Sequence, residues 1–184
     1  LALGITEYVM MAILPNVSRS LHVSIPEAGH LISAYAIGVS AGAPLLVFAH
    51  KYKPKSILLV LAAMMVAGAI ISVLAPNYWV LLAARFISGL PHGAYFGVAS
   101  IVAVRLADKG HEAGAVSAMI AGMTIANLLG VPLATALCNS LSWRFPFVLA
   151  MVCALLVLFF IWRWVPDLEA RPCESFRKQF VFLR

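Results

Sequence analysis

The sequence predicts an all-α membrane protein of six transmembrane helices, arranged as two inverted three-helix repeats. Three observations carry this expectation. Long segments without Asp, Glu, Lys or Arg recur along the chain, the basic residues fall in alternate connections, and corresponding helices of the two halves carry matching Gly-x-Pro interruptions.

The uncharged runs come first. The chain has 184 residues, 63% hydrophobic and 11% charged, and its mean hydropathy is +0.98. Soluble domains are about 25% charged, but hydrophobicity alone does not imply a membrane. Run length decides, because a bilayer-crossing helix needs about 20 predominantly apolar residues. Residues 28–50, 56–84, 86–104, 113–143 and 145–162 contain no charged side chain, and 1–18 contains only Glu7. The spans are therefore expected at 1–18, 27–49, 56–75, 79–104, 113–138 and 144–165. They form one bundle over 1–165, and 166–184 is a cytoplasmic linker.

The punctuation between spans agrees. Ser24-Ile-Pro-Glu27 has the form of a capping box with a helix-starting proline, and Pro76-Asn77-Tyr78 reads as a tight turn. The first span opens without a charged flank or an initiating methionine, so a few residues are expected to precede it. Glu7 in mid-span and the lack of a cleavage pattern argue against a cleaved leader.

Orientation follows from Lys and Arg in the loops. Lys51, Lys53, Lys55, Arg105, Lys109, Arg163, Arg171, Arg177, Lys178 and Arg184 fall on one side, and only Arg19 and Arg144 on the other. Both termini are thus expected in the cytoplasm. The net charge of +6 is accounted for by this bias and calls for no nucleic-acid partner. Cys138, Cys153 and Cys173 have no metal or redox spacing, and the histidines form no ligand motif. Neither a cofactor nor an enzyme activity is expected.

Arg85 is the remaining basic residue, and it lies inside a span. Counting at 1.5 Å per residue from the outer edge, Glu7 lies roughly 16 Å deep and Arg85 roughly 10 Å. Arginine is long enough to close that difference. Charges within a bilayer are costly and commonly pair facing the bundle interior or a water-filled cavity. Glu7 and Arg85 are therefore expected to pair and to couple to protons. The alternative is that Arg85 snorkels to the headgroups while Glu7 stays protonated and idle.

Packing signals surround them. Gly89, Gly93 and Gly97 form a small-xxx-small stripe that invites close helix approach, as do Ala34-Gly38-Gly42 and Gly122-Ala126-Gly130. His92 lies seven residues after Arg85, nearly on the same face. It is a candidate for substrate binding or proton relay, with a structural hydrogen-bonded histidine as the equal alternative. Gly42-Ala-Pro44 and Gly130-Val-Pro132 are the candidate conformational hinges, matched as inverted repeats require. Asn127, with Thr124 before it, adds polar groups that line a cavity or bond a neighbouring helix.

These segments resemble the N-terminal half of a major facilitator superfamily transporter, specifically the drug:proton antiporter group and its arabinose-efflux-permease-like branch. Residues 5–15, ITEYVMMAILP, resemble that group's first-helix motif. Residues 85–97, RFISGLPHGAYFG, are similar to its fourth-helix motif, whose arginine is tied to proton coupling. Residues 122–132, GMTIANLLGVP, resemble the fifth-helix antiporter motif, and Ser142-Trp-Arg144-Phe145 the start of the sixth helix. The likeness covers essentially the whole chain. Two departures stand out: the basic loop at 46–55 has His50 where the family motif has an acid and Lys53 where it has a glycine, and Ala134 stands where glycine is common.

The resemblance implies proton-coupled efflux of a sugar or drug-like small molecule by alternating access, in the bacterial inner membrane. Glu7 would take up a proton from outside, loosen its tie to Arg85 and, with the kinks at Pro44 and Pro132, bias the bundle. His92, Asn127, Tyr35 and Met11 are the candidate substrate-cavity residues, beside Met10 and Tyr95, whose bulk also suits plain packing. The resemblance also implies twelve spans, so the partners expected are the lipid bilayer, the substrate, the proton and a missing C-terminal six-helix half or a second copy. A truncated remnant or a non-transporting six-span scaffold, with Glu7 and Arg85 as a structural pair, is the alternative.

Overall fold

The computed structural model describes residues 2–44 and 52–169. Its helices are α1 (Ala2–Leu21), α2 (Ile25–Gly42), α3 (Pro54–Leu74), α4 (Tyr78–Leu106), α5 (Glu112–Ser140) and α6 (Phe145–Trp164). Residues 170–184 of the expected linker lie outside the described residues.

Local chemistry sets where these helices start. The Glu27 backbone N–H donates to the Ser24 hydroxyl at 3.3 Å, and the Ser24 N–H donates to the Glu27 carboxylate at 2.8 Å, closing the capping box of α2. Asn77 caps α4 by accepting the Val80 N–H at 3.0 Å. Pro54 and Pro146 stand in the first turns of α3 and α6, where a missing N–H leaves no bond unmade. The α1–α2 connection is closed by His22 in the left-handed region, at φ 54°, and by the Ser18 hydroxyl donating to the Val23 carbonyl at 2.6 Å.

Four helices, α3 to α6, are long and apolar enough to cross a membrane. Six spans were expected; among the described residues α1 and α2 do not meet that measure. In α1 the polar side chains of Thr6, Glu7, Asn16, Ser18, Arg19 and Ser20 dilute the apolar ones. Helix α2 runs Ile25–Gly42, with Ala43 and Pro44 in a turn, and the rest of its expected span, to residue 49, lies outside the described residues.

The core has two main centres. Val9, Met10, Ile13 and Val17 of α1 pack with Leu31, Leu81, Trp143 and Phe147 at the end where α1 and α2 meet. Leu58, Ala62, Val98, Val102 and Ile161 form the other, between α3, α4 and α6.

Glycine contacts set the distance between two pairs of helices. A Cβ on Gly38 would strike the Phe86 carbonyl, one on Gly42 the Leu90 carbonyl, and one on Gly89 the Tyr35 carbonyl. Helices α2 and α4 are thus held backbone to backbone, as the small-residue stripes predict. Gly93 continues that seam less tightly, since a Cβ there would lie 3.4 Å from the Val39 carbonyl. Gly97, one turn on, is half-buried, and its carbonyl accepts the Ser100 hydroxyl at 2.8 Å. Between α1 and α5, a Cβ on Gly4 would meet Ala126 within 2.7 Å.

Helix α5 is continuous but widens to a π-helix over Ala126–Gly130, directly before Pro132. A proline has no N–H to donate, and its ring crowds the carbonyl four residues back. A wider turn relieves that crowding, and π-bulges often mark functional positions. Helix α5 thus passes through Pro132.

Candidate functional site

The site lies where α1, α2 and α4 meet. Arg85 of α4 is 1% exposed, so its guanidinium is wholly inside the bundle and does not snorkel. Its Nη1 donates to the Thr6 carbonyl of α1 at 2.9 Å, and its guanidinium carbon lies 4.3 Å from the ring centre of Tyr35 on α2. This is a desolvated cation–π contact, where such an interaction is strongest. The close α2–α4 seam makes the contact, because Gly89 admits the backbone of Tyr35 itself.

Glu7 sits one residue beyond Thr6. The Glu7–Arg85 ion pair expected from matched depth is not formed: no carboxylate oxygen of Glu7 comes within 4.0 Å of an Arg85 nitrogen. Instead the Glu7 Oε2 lies 3.9 Å from His92 Nε2. The other imidazole nitrogen, Nδ1, lies 2.7 Å from the Tyr35 hydroxyl, and the two rings meet edge to face at 87°. Arg85 is instead held between the Thr6 carbonyl of α1 and the Tyr35 ring of α2.

Four side chains thus form a chain of contacts, Glu7 to His92 to Tyr35 to Arg85. Three of its polar atoms have no hydrogen-bond partner among the described residues: Glu7 Oε2, Arg85 Nε and Arg85 Nη2. Buried unpaired groups of this kind are costly, and the donors and acceptor left over are complementary in charge. A rotamer change of Glu7 or an intervening water would satisfy them. The arrangement can hold a proton, pass it between a carboxylate and an imidazole, and stabilise negative charge with a fixed cation.

The other candidate residues lie elsewhere. Met11 is 56% exposed on α1, and Asn127 is exposed within the π segment of α5. Thr124 bonds only its own helix, donating to the Ile120 carbonyl at 3.3 Å. Tyr95 lines a different space, an apolar cavity of about 310 Å³ walled by Met65, Phe96, Met119 and Met123 among others. Tyr35 and His92 are buried in the cluster and are not open cavity lining. Sequence reasoning missed the Thr6 carbonyl, since a backbone acceptor leaves no mark in a side-chain pattern. Tyr35 was expected as a cavity residue, and its stacking under Arg85 leaves no mark in the sequence pattern.

Comparison with known proteins places this geometry. The chain matches the Major Facilitator Superfamily over residues 1–183. It is 43% identical over 183 residues to AraJ of Escherichia coli, named as a transporter, covering 99% of this chain and 46% of that protein. It is 44% identical over 147 residues to the Escherichia coli inner membrane transport protein YdhP, covering 79% and 38%. A Helicobacter pylori protein named as a sugar efflux transporter is 32% identical over 167 residues, covering 90% and 43%. The chain thus spans less than half the length of these relatives.

Among solved structures, the human organic anion transporter TETRAN matches with a TM-score of 0.69 at 19% identity, covering 96% of this chain and 49% of that one. An auto-inhibited POT family peptide transporter matches at 0.68 and 14% identity, covering 94% and 38%. At these identities the likeness is one of fold. With the match over nearly its full length and relatives above 40% identity, the chain is a multi-pass membrane protein and belongs to the Major Facilitator Superfamily.

Proposed function

We propose that the chain supplies one six-helix half of a transporter that exports a small molecule, of sugar or drug-like class, in exchange for a proton. Residues 1–165 form two inverted three-helix repeats in the bacterial inner membrane, with both termini cytoplasmic, and 166–184 lead out as a linker. A second six-helix half, from further chain or from another copy, completes the substrate cavity. The uncovered faces bearing Met11 and Asn127 contribute to that cavity.

The observation that carries this proposal is the buried cluster of Glu7, Arg85, His92 and Tyr35. A membrane helix bundle tolerates such groups chiefly where they bind or move ions. The name of the Helicobacter pylori relative supports export and sugars as the substrate class. Opening and closing the cavity changes the water around Glu7, and with it the carboxyl's hold on a proton. Gly130 and Pro132 at the π segment, and Gly42 and Pro44 at the end of α2, serve as the hinges.

The test is proton-driven solute uptake into inverted membrane vesicles containing the protein. Glu7→Gln should abolish the response to a pH gradient while leaving the protein folded in the membrane. Unchanged proton-driven uptake by that variant overturns the proposal. A non-transporting scaffold would move no solute in either form.

A further inference from the structure

We propose that His92 is a second proton-carrying group of this site: one proton is shared between the Glu7 carboxyl and the His92 imidazole, and Tyr35 is the positioning residue that makes the sharing possible. The inference rests on the proton-coupled reading of the same cluster.

Geometry is the first support. His92 has a different partner on each ring nitrogen, Glu7 Oε2 at 3.9 Å from Nε2 and the Tyr35 hydroxyl at 2.7 Å from Nδ1. A purely structural histidine needs only the second. The partner on one nitrogen selects which tautomer the ring adopts and which nitrogen remains free to exchange a proton. With Nδ1–H donating to the Tyr35 oxygen, the Nε2 lone pair points at the carboxyl group.

Exposure is the second. The side chain of Glu7 is 34% exposed and that of His92 11%; Tyr35 is 4% and Arg85 1% exposed. Solvent therefore reaches the carboxyl first and the imidazole second. The uncompensated Glu7 oxygen is the third support, because Glu7 Oε2 has no hydrogen-bond partner among the described residues. A proton on the pair, carried between them by a rotamer step or one water, supplies the missing bond.

Among the described residues the surroundings contain no rival: α1 brings Glu7 and α2 brings Tyr35, and on α4 itself Arg85 is held by Thr6 and Tyr35. Helix α3 brings Lys55 at its first turn, α5 brings Glu112 and Cys138, α6 brings Cys153 and Arg163, and α4 also carries Tyr95 and Arg105. None of these forms an ion pair or hydrogen bond with His92.

The step balances simply. The O–H bond of the neutral Glu7 carboxyl breaks, and the proton forms an N–H bond at His92 Nε2. A carboxylate and an imidazolium result, the latter keeping its Nδ1–H on the Tyr35 oxygen. Reversal returns the proton to Glu7 when the carboxyl again faces solvent.

The experiment is a titration of the five histidines by NMR, with ¹⁵N-labelled imidazoles, in the whole chain in lipid nanodiscs. The His92 signal is identified by its loss in His92→Gln. Groups that interact by more than about 1 pK unit titrate as a pair in two steps. We expect two steps for His92, and a single step in Glu7→Gln whose midpoint is displaced by about tenfold in proton concentration. An identical single step in both proteins overturns the proposal. Should Glu7→Gln fail to fold, Glu7→Asp draws the charge back by one methylene, and an unmoved His92 midpoint there overturns it equally.

Tyr35→Phe keeps the ring under Arg85 and removes only the hydroxyl. Its His92 should lose its single tautomer, seen in the two nitrogen shifts; an unchanged tautomer removes the positioning role. Coupled titration without transport would leave the shared proton standing and remove the exporter. Proton-driven transport with uncoupled titration would do the opposite.

Discussion

Arg85 and Tyr35 are held in one another's company by backbone contact: the Arg85 guanidinium carbon lies 4.3 Å from the Tyr35 ring centre, and the Tyr35 carbonyl occupies the space a Cβ on Gly89 would need. A cation with nowhere to go is thus placed over an aromatic face, and its Nη1 is spent on the Thr6 carbonyl at 2.9 Å. Lysine is a compact point charge and cannot both stack and donate in this plane. Arg85→Lys should therefore lose stability by about 2 kcal/mol, read as a lower denaturant midpoint in detergent. Proton-driven uptake into vesicles should fall at least about tenfold in that variant.

The α2–α4 seam predicts a contrast between glycines. Gly89→Ala drives a methyl against the Tyr35 carbonyl and the Gly38 Cα, where backbone has no room to yield. Overpacking of this kind costs about 1–3 kcal/mol. Gly29→Ala on α2 has nothing within 4 Å of the added methyl and gains roughly 1 kcal/mol of helix propensity. Thermal unfolding of the two variants should move in opposite directions.

The π segment predicts a change in local opening. With Pro132→Ala an N–H returns to the ladder and the crowding that favours the wide turn disappears. Amide hydrogen exchange over Ala126–Gly130 should slow by about tenfold or more, a gain of roughly 1.4 kcal/mol in local stability. Transport should slow as well if this turn is the hinge. Unchanged exchange would show that the segment is widened by packing against Ile5 and Gly4 instead.

Orientation can be checked by labelling. Pro76 and Lys109 are both exposed, at opposite ends of α4. An impermeant maleimide added to intact cells should modify Pro76→Cys and spare Lys109→Cys, each made in a chain whose three cysteines are replaced by serine. The reverse pattern would invert the topology read from Lys and Arg.

The residues themselves show what could be read early. Helix limits were legible because caps and apolar runs are local: the expected spans at 56–75 and 79–104 compare with Pro54–Leu74 and Tyr78–Leu106. The small-residue stripes were legible for the same reason, and Gly38, Gly42 and Gly89 lie in a close seam. The expected second span, 27–49, is described only as far as residue 44, and its remainder lies outside the described residues.

The partner of Glu7 was not legible. Sequence alone determined that an acid and a base would lie deep in the bundle at similar heights, since height accumulates at about 1.5 Å per residue along a helix. It could not determine the rotation of each helix about its own axis. That angle was decided by contacts between helices distant in sequence, where Gly89 lets Tyr35 in under Arg85 and His92 is left facing Glu7. Depth is a one-dimensional property of a chain; which side chains meet at that depth is set by three-body packing, which only the tertiary structure contains.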